Sequence, residues 1–215
     1  MDPLSLIEQT FGPLAGKRLL DIGCGNGDLV RALNARGAMA SGVDPAAPVR
    51  PSLQSAPAEN LPFAPGSFDG AVFINSLHHV PVAHLDNALR ESARVVGPGN
   101  TVLVIEPLAA GSFFSALRII EDETGIRAAA QSAIQRAITS GVYRLAAQHD
   151  YIRRDQFPDL DQFLARVLAA DATRQSIIGQ NRASIAAAFT AAATRTELGT
   201  YVLEQPIRAH VLTAN

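Results

Sequence analysis

The chain has 215 residues, enough for one domain with a real core, and its 47% apolar and 18% charged side chains are those of a folded protein rather than a disordered one. A formal charge of −2 gives no electrostatic case for nucleic acid, whose binding needs a basic surface, so no nucleic-acid partner is expected. The single cysteine, Cys24, excludes an intramolecular disulfide and any multi-cysteine centre, and no metal site is expected.

The beginning, "MDPLSLIEQTFGPLAGKR", lacks the basic head and apolar core of a secretory signal. No apolar run reaches the roughly 18 residues that a membrane span requires. The expectation is a cytoplasmic protein. Lys17 is the only lysine, and the arginine- and alanine-rich usage points to a GC-rich bacterial genome.

In chain order, Leu4 to Phe11 reads as a short helix and "RLLDI", residues 18–22, as a buried strand. Leu29 to Arg36 follows as a helix stopped by Gly37, with Gly27 and Asp28 at its start. Residues 38–44 form a second strand. Pro45, Pro48 and Pro51 then leave little room for a regular helix, so a degenerate crossover and a short third strand at 53–55 are expected. Residues 68–75 are apolar on both faces and read as a central parallel strand. A helix over 82–96 closes at "GPG", and 101–106 is a fifth strand. Strands alternating with helices predict a parallel sheet covered on both faces.

From Gly111 the texture changes. Phe113, Leu117, Ile120, Ile126, Ala130, Ala133 and Ala137 recur at helical spacing, with Gly125 a weak point. Further helices are expected at 161–170 and 173–192. The end, "GTYVLEQPIRAHVLTA", reads as two strands joined around Gln205-Pro206. The layout is a helical layer inserted before a terminal antiparallel pair.

Three glycines crowd the stretch "LLDIGCGNGD" at the carboxyl end of the first strand, the edge where open parallel sheets bind ligands. Glycine permits positive φ and close backbone approach. Asp44 ends the second strand about 20 residues later, where a carboxylate can accept ribose hydroxyls. A dinucleotide fingerprint needs a third glycine where Asp28 stands, and that aspartate sits badly beside a pyrophosphate. A phosphate-cradling loop needs Gly-Lys-Ser/Thr, which is absent. What is left is a nucleoside ligand without phosphates at its neck. Taken singly, Asp21 could cap a turn and Asp44 could be an Asx-turn residue before Pro45.

The residues together resemble a class I S-adenosylmethionine-dependent methyltransferase, of the small-molecule group that includes the ubiquinone-menaquinone methyltransferases. "DIGCGNG" is similar to that family's first motif and "GVDP" to its second; "AENLPFAPGSFDGAVFINSLHHV" and "RVVGPGNTVLVIEP" are similar to the later blocks. The resemblance covers residues 18–107 in order, and residues 108–192 carry none of it. It implies an α/β fold: a doubly wound, seven-stranded, mostly parallel Rossmann-like sheet with a terminal antiparallel strand pair and a helical cap insertion. It implies one domain over 1–215, with a cofactor-binding core at 18–107, a cap and acceptor region at 108–192 and terminal strands at 193–215.

By the same resemblance S-adenosyl-L-methionine is the cofactor. Asp21 and the backbone of Gly23, Cys24 and Gly25, with Gly27, face its methionine end. Asp44 takes the ribose hydroxyls, Pro45 and Leu61 flank the adenine, Ala58 and Glu59 run along it, and Asn75 offers its carbonyl to the cofactor's amine. Two departures stand out: Pro57 occupies a position that is often acidic in the family, and the crossover after Asp44 is short and proline-rich. Cys24, between two glycines, is a small filler rather than a nucleophile.

Transfer from such a cofactor is an in-line displacement on a small-molecule acceptor, at an oxygen, nitrogen or carbon atom. The protein must align the acceptor and exclude water. A base is needed only for an alcohol, phenol or protonated amine. His78 and His79 follow the fourth strand and are candidates for base or acceptor-orienting group, against the simpler reading that they shape the loop. His149, Asp150 and Tyr151 form a polar-aromatic cluster that either lines the acceptor pocket or is an ordinary loop. Asp122, in the run "EDE", is a further acceptor-site candidate, although Glu123 and Arg127 have the i,i+4 polarity of a solvated helix face. The helical layer carries acceptor specificity or, alternatively, a homodimer interface. A cofactor-binding sensor or scaffold without transfer activity is the rival function, and a nucleotide-dependent oxidoreductase is disfavoured by the glycine spacing.

Overall fold

A computed structural model describes residues 2–48 and 50–215. Helix α1 (Pro3–Phe11) starts where Asp2 accepts the Ser5 amide, with Pro3 in the first turn, and ends at Gly12 with φ 71°. Strand β1 (Arg18–Ile22) leads through the glycine turn into α2 (Asp28–Asn34), and β2 (Met39–Asp44) returns parallel to β1. Asn34 fastens that return: its side chain accepts the Ala40 amide at 2.7 Å and donates to the Ala40 carbonyl at 3.1 Å. Strand β3 (Leu53–Ser55) pairs with β2, and β4 (Gly70–Ile74) pairs with the other edge of β1. Helix α3 (Leu85–Val96), β5 (Thr101–Pro107), α4 (Gly111–Leu117) and α5 (Thr124–Thr139) follow. Then come β6 (Tyr143–Phe157), α6 (Leu160–Ala170), α7 (Gln175–Ala192), β7 (Thr194–Arg195) and β8 (Tyr201–Ala214).

The strand order is β3-β2-β1-β4-β5-β8-β6, with β7 paired to β8, so the sheet is mostly parallel with antiparallel terminal strands. The order reverses at β1, between β2 and β4, which places the ligand crevice at the carboxyl ends of those strands.

The chain divides into two units. The first holds the chain up to Glu106, together with Ala128–Asp150 and Arg208–Asn215. Its core gathers Leu20, Ile22, Phe73 and Val104 from the strands, Leu85, Leu89 and Val96 from α3, and Ala133 and Ile134 from α5. Tyr143 is buried there too, its hydroxyl satisfied by Ser92 Oγ at 2.7 Å and the Leu89 carbonyl at 3.0 Å. Gly70 is required where α1 meets β4, because a Cβ would lie 2.3 Å from the Phe11 ring.

The second unit comprises Pro107–Arg127 and Tyr151–Ile207. Its core is an aromatic stack in which Phe163 meets Phe113, Phe157 and Phe189 with ring centroids 5.3–5.6 Å apart. Arg174, at 8% exposure, bonds Glu121 and Glu123, and Arg127 bonds Glu123 and the Gln205 side chain.

Four expectations are corrected. Residues 108–192 are not helical throughout: the 15-residue strand β6 runs through them. The helical pattern from Phe113 to Ala137 is two helices, and "EDE" lies in the turn between them, not on the first. Glu123 and Arg127 are not a solvated face, being 3% and 5% exposed. Pro206 does not divide the terminal segment, since β8 runs through it. The buried Gln205 side chain explains this tolerance: its amide donates to the carbonyls of Leu108, Ala110 and Pro206 beside the position where proline has no N–H.

Candidate active site

The glycine turn is closed by the backbone. Gly23 and Cys24 both donate to the Val43 carbonyl, at 2.8 and 3.0 Å, and Gly27 donates to Cys24. Gly23, Gly25 and Gly27 all have positive φ. Gly23 is needed twice over: its φ is +82°, and a Cβ there would sit 2.3 Å from Ser76 Cβ. At Gly25 the reason differs. No atom lies within 4 Å of a Cβ built on it, so its bare backbone faces open space that a side chain would occupy.

Asp21 makes none of the turn's hydrogen bonds among the described residues, so the capping reading fails. Its carboxyl is 3% exposed, and burial, then the charge of Asp44, push its pKa up to about 7. A buried carboxyl next to a second carboxylate calls for a cation. Asp44 does form the Asx turn, accepting the Ala46 amide at Oδ1 (2.8 Å), but its Oδ2 also accepts the Gly25 amide at 3.1 Å. A carboxylate offers about four acceptor positions, so roughly two are left open. Pro45 is held by Ser55, whose hydroxyl donates to its carbonyl at 2.9 Å.

The segment carrying Ala58, Glu59 and Leu61 is braced from α3. Glu91 accepts the Leu61 amide at 2.9 Å, while Arg94 donates to the carbonyls of Leu61 and Phe63. Ala58 and Leu61 are buried, Glu59 is half-buried and Pro57 is exposed. Cys24 is buried, and burial followed by the charges of Asp21 and Asp44 push its thiol up to about 12, which excludes a nucleophilic thiolate.

After β4 the chain turns over the glycine loop. Asn75, the single non-glycine residue with positive φ among those described, is at +51°, and its amide donates to the Ile105 carbonyl at 2.8 Å. Ser76 Oγ donates to the Ile22 carbonyl at 2.6 Å. Glu106, at the end of β5 and 1% exposed, governs the rest of this loop. Its Oε1 accepts the amides of Ser76 and Leu77 at 3.0 and 2.8 Å, and its Oε2 meets His78 Nδ1. His78 is buried and its ring lies 4.0 Å from that of the exposed His79.

The other candidates lie elsewhere in the chain. His149 and Tyr151 are half-buried on β6 rather than in a loop, and Asp150 between them is paired with Arg208 at 2.7 Å. Asp122 is exposed just ahead of α5, where it accepts the Thr124 amide at 3.1 Å and is held down to about 2 by Thr124 and then Arg118. Sequence reasoning missed Glu106, which looks like the end of an apolar strand, and His210. The latter is 6% exposed and pushed down to about 4 by burial and then Arg208, and its Nδ1 has no partner among the described residues. Among these residues no helix is long and apolar enough to cross a membrane, and no cluster of three or more ligating side chains forms a metal site.

Residues 20–104 match a family model described as a methyltransferase domain. A ubiquinone biosynthesis O-methyltransferase of Bordetella parapertussis is 32% identical over 118 residues, covering 47% of this chain and 48% of that protein. The 27-O-demethylrifamycin SV methyltransferase of Amycolatopsis mediterranei is 31% identical over 153 residues, covering 64% of this chain and 51% of that protein. The chain spans about half the length of these curated relatives. Among solved structures, the YcgJ protein of Bacillus subtilis aligns with a TM-score of 0.61 at 21% identity, over 97% of both chains. The [4+2]-cyclase SpnF aligns at 0.60 and 17% identity, over 98% of this chain and 79% of that one. Likenesses at this identity establish the fold and nothing finer.

Proposed function

We propose, from the premise that this chain belongs to the class I S-adenosylmethionine-dependent methyltransferases, that it moves a methyl group from that cofactor to a hydroxyl oxygen of a small organic acceptor. The observation that carries the reading is the cradle of Asp21, the Gly23–Gly25 backbone and Asp44: a buried carboxyl with a raised pKa, an open-faced glycine and a carboxylate with spare acceptor positions. The residues suit a cationic nucleoside and do not suit a pyrophosphate. The names of the relatives, both O-methyltransferases by their printed substrates or activities, favour oxygen over nitrogen or carbon.

When bound, S-adenosylmethionine supplies a methyl group already activated by a sulfonium. Asp21 balances positive charge at the methionine end, and Asp44 accepts the ribose hydroxyls while holding the Gly25 amide in place. Pro45 and Leu61 flank the adenine, with Ala58 and Glu59 alongside. Asn75 presents its carbonyl from a backbone fixed by Ile105. Alignment of the acceptor and exclusion of water are the remaining tasks.

A melting-temperature series tests this directly. S-adenosylhomocysteine raises the melting temperature and NAD does not; the reverse pattern overturns the reading. Release of S-adenosylhomocysteine across a panel of phenols and alcohols then identifies the acceptor. A second reading is favoured by one neighbour: SpnF, named a cyclase, has this fold. A chain that binds S-adenosylhomocysteine yet methylates nothing in the panel fits the reading of a cofactor-binding sensor or scaffold instead.

A further inference from the structure

A groove of about 560 Å³ opens at the amino ends of β4, β5 and β6, the edge of the sheet opposite the ligand crevice. Helix α3 contributes Arg90, Ala93 and Arg94 to it, and Pro65, Pro98 and Val142 supply apolar lining. The volume falls within the roughly 300–1,000 Å³ of small-molecule pockets. A helix end carries partial negative charge on its last carbonyls and would by itself favour a cation. Those carbonyls are already spent: Ala93, Arg94, Val95 and Val96 accept from Gly97, Gly66, Phe68 and the Asn100 side chain. The Asn215 amide, also at the groove, donates to the Gly141 carbonyl at 2.8 Å.

The donors are not spent. A guanidinium has five N–H groups, and Arg90 uses a single one, on Asn87 Oδ1 at 3.2 Å, with no ion pair among the described residues. Asp86, one turn earlier, is committed to Arg136, whose Nη2 lies 2.7 Å from its Oδ1. Arg94, one turn later, gives Nε and Nη2 to the Glu91 carboxylate, and Nη1 and Nη2 to the carbonyls of Phe63 and Leu61. Arginines at i and i+4 repel, so Arg90 keeps a charge and hydrogens that no described residue takes up. We propose that this groove is a second binding site, taking a small organic carboxylate with an apolar body whose oxygens bridge Arg90 and the last N–H of Arg94. A guanidinium–carboxylate pair is directional and strong, and the prolines and Val142 cover the apolar body. An ammonium ligand would meet two like charges, and inorganic phosphate would leave the apolar lining bare.

Occupancy reaches the cofactor through Arg94. That side chain lines the groove and also holds two carbonyls of the segment proposed to flank the adenine, so a carboxylate that fixes Arg94 fixes Leu61 with it. This coupling, unlike the site itself, rests on the methyl-transfer reading above. It is reciprocal: the carboxylate tightens S-adenosylhomocysteine binding by about fivefold, and S-adenosylhomocysteine tightens the carboxylate by the same factor.

Titration calorimetry of the full chain with 2-naphthoate, 2-naphthylmethanol and inorganic phosphate tests the site. 2-Naphthoate binds, and the alcohol and phosphate bind about tenfold more weakly or less. Arg90 is exposed and barely bonded, so Arg90→Gln folds as the parent does, and it weakens 2-naphthoate by about tenfold or more. No binding of 2-naphthoate, undiminished binding to Arg90→Gln, equal binding of the alcohol, or displacement by S-adenosylhomocysteine overturns the site. The affinity for S-adenosylhomocysteine is then measured with and without saturating 2-naphthoate. An unchanged value in the parent, or the same gain in Arg90→Gln, overturns the coupling through Arg94. A chain that binds no S-adenosylhomocysteine at all defeats the methyl-transfer reading instead, and the dependence of 2-naphthoate on Arg90 still decides the site.

Discussion

The Asp44 carboxylate, which accepts the Gly25 amide at 3.1 Å, adds its like charge to burial in holding the proton of the buried Asp21. Asp21 is raised from 3.8 to about 7, so the folded chain keeps a proton that the unfolded chain releases. Its contribution to stability is therefore full below about pH 4 and is lost as pH rises towards 7. A cationic ligand reverses the preference. Binding of S-adenosylmethionine is expected to release about one proton near pH 6 and to strengthen as pH rises through 7. Calorimetry in buffers of different ionisation enthalpy measures that proton, and Asp21→Asn abolishes it. Proton release unchanged in the variant assigns the effect to another group.

Asp44→Ala removes the acceptor of the Gly25 amide together with the proposed ribose contacts. Hydrogen bonds to a charged group contribute about 1.5–3 kcal/mol each, so affinity for S-adenosylhomocysteine should fall by roughly 100-fold. Asp44 also accepts the Ala46 amide, so the variant loses two intrachain bonds and the melting temperature of the free protein should fall as well. An unchanged affinity refutes the ribose role.

Two glycine-to-alanine changes should part company. Gly23→Ala brings both a disfavoured φ and a collision with Ser76, and should destabilise the fold by about 2–4 kcal/mol in urea denaturation. Gly25→Ala meets no protein atom and should cost about 1 kcal/mol, from backbone strain alone. Its larger effect should be on S-adenosylhomocysteine binding. Equal stability losses for the two variants contradict the open face at Gly25.

In the second unit, Glu123→Ala leaves Arg127 and Arg174 buried with less compensation. Breaking a buried ion pair from one side costs about 3 kcal/mol. The loss should be read in urea denaturation. Arg118→Ala, which removes an exposed partner of Asp122, should stay within about 0.5 kcal/mol of the parent.

The strand, glycine turn and helix were legible because glycine at positive φ and an apolar run leave few alternatives. Strand β6 was not. It lies at the edge of the sheet, buries only its two end residues fully, Tyr143 and Phe157, is exposed throughout 144–146, and from there alternates half-buried with exposed positions rich in arginine, aspartate and glutamine. Neither face has the apolar signal that marks a strand in sequence. Pro206 suggested a break that the buried Gln205 amide makes unnecessary. Asn75 gave no local sign of its positive φ, and Glu106 none of its partners, because both depend on strands brought together by the fold.

Cys24 is the chain's single thiol, and it stands between Gly23 and Gly25 with its pKa pushed up to about 12. A thiol so firmly protonated and covered reacts with a disulfide reagent chiefly when its surroundings part. The labelling rate of the unaltered protein is therefore a clock for local opening of this one turn, with no engineered probe and no competing site. Slower labelling with S-adenosylhomocysteine present would time the residence of a ligand at the turn, in a chain whose own chemistry supplies the reporter.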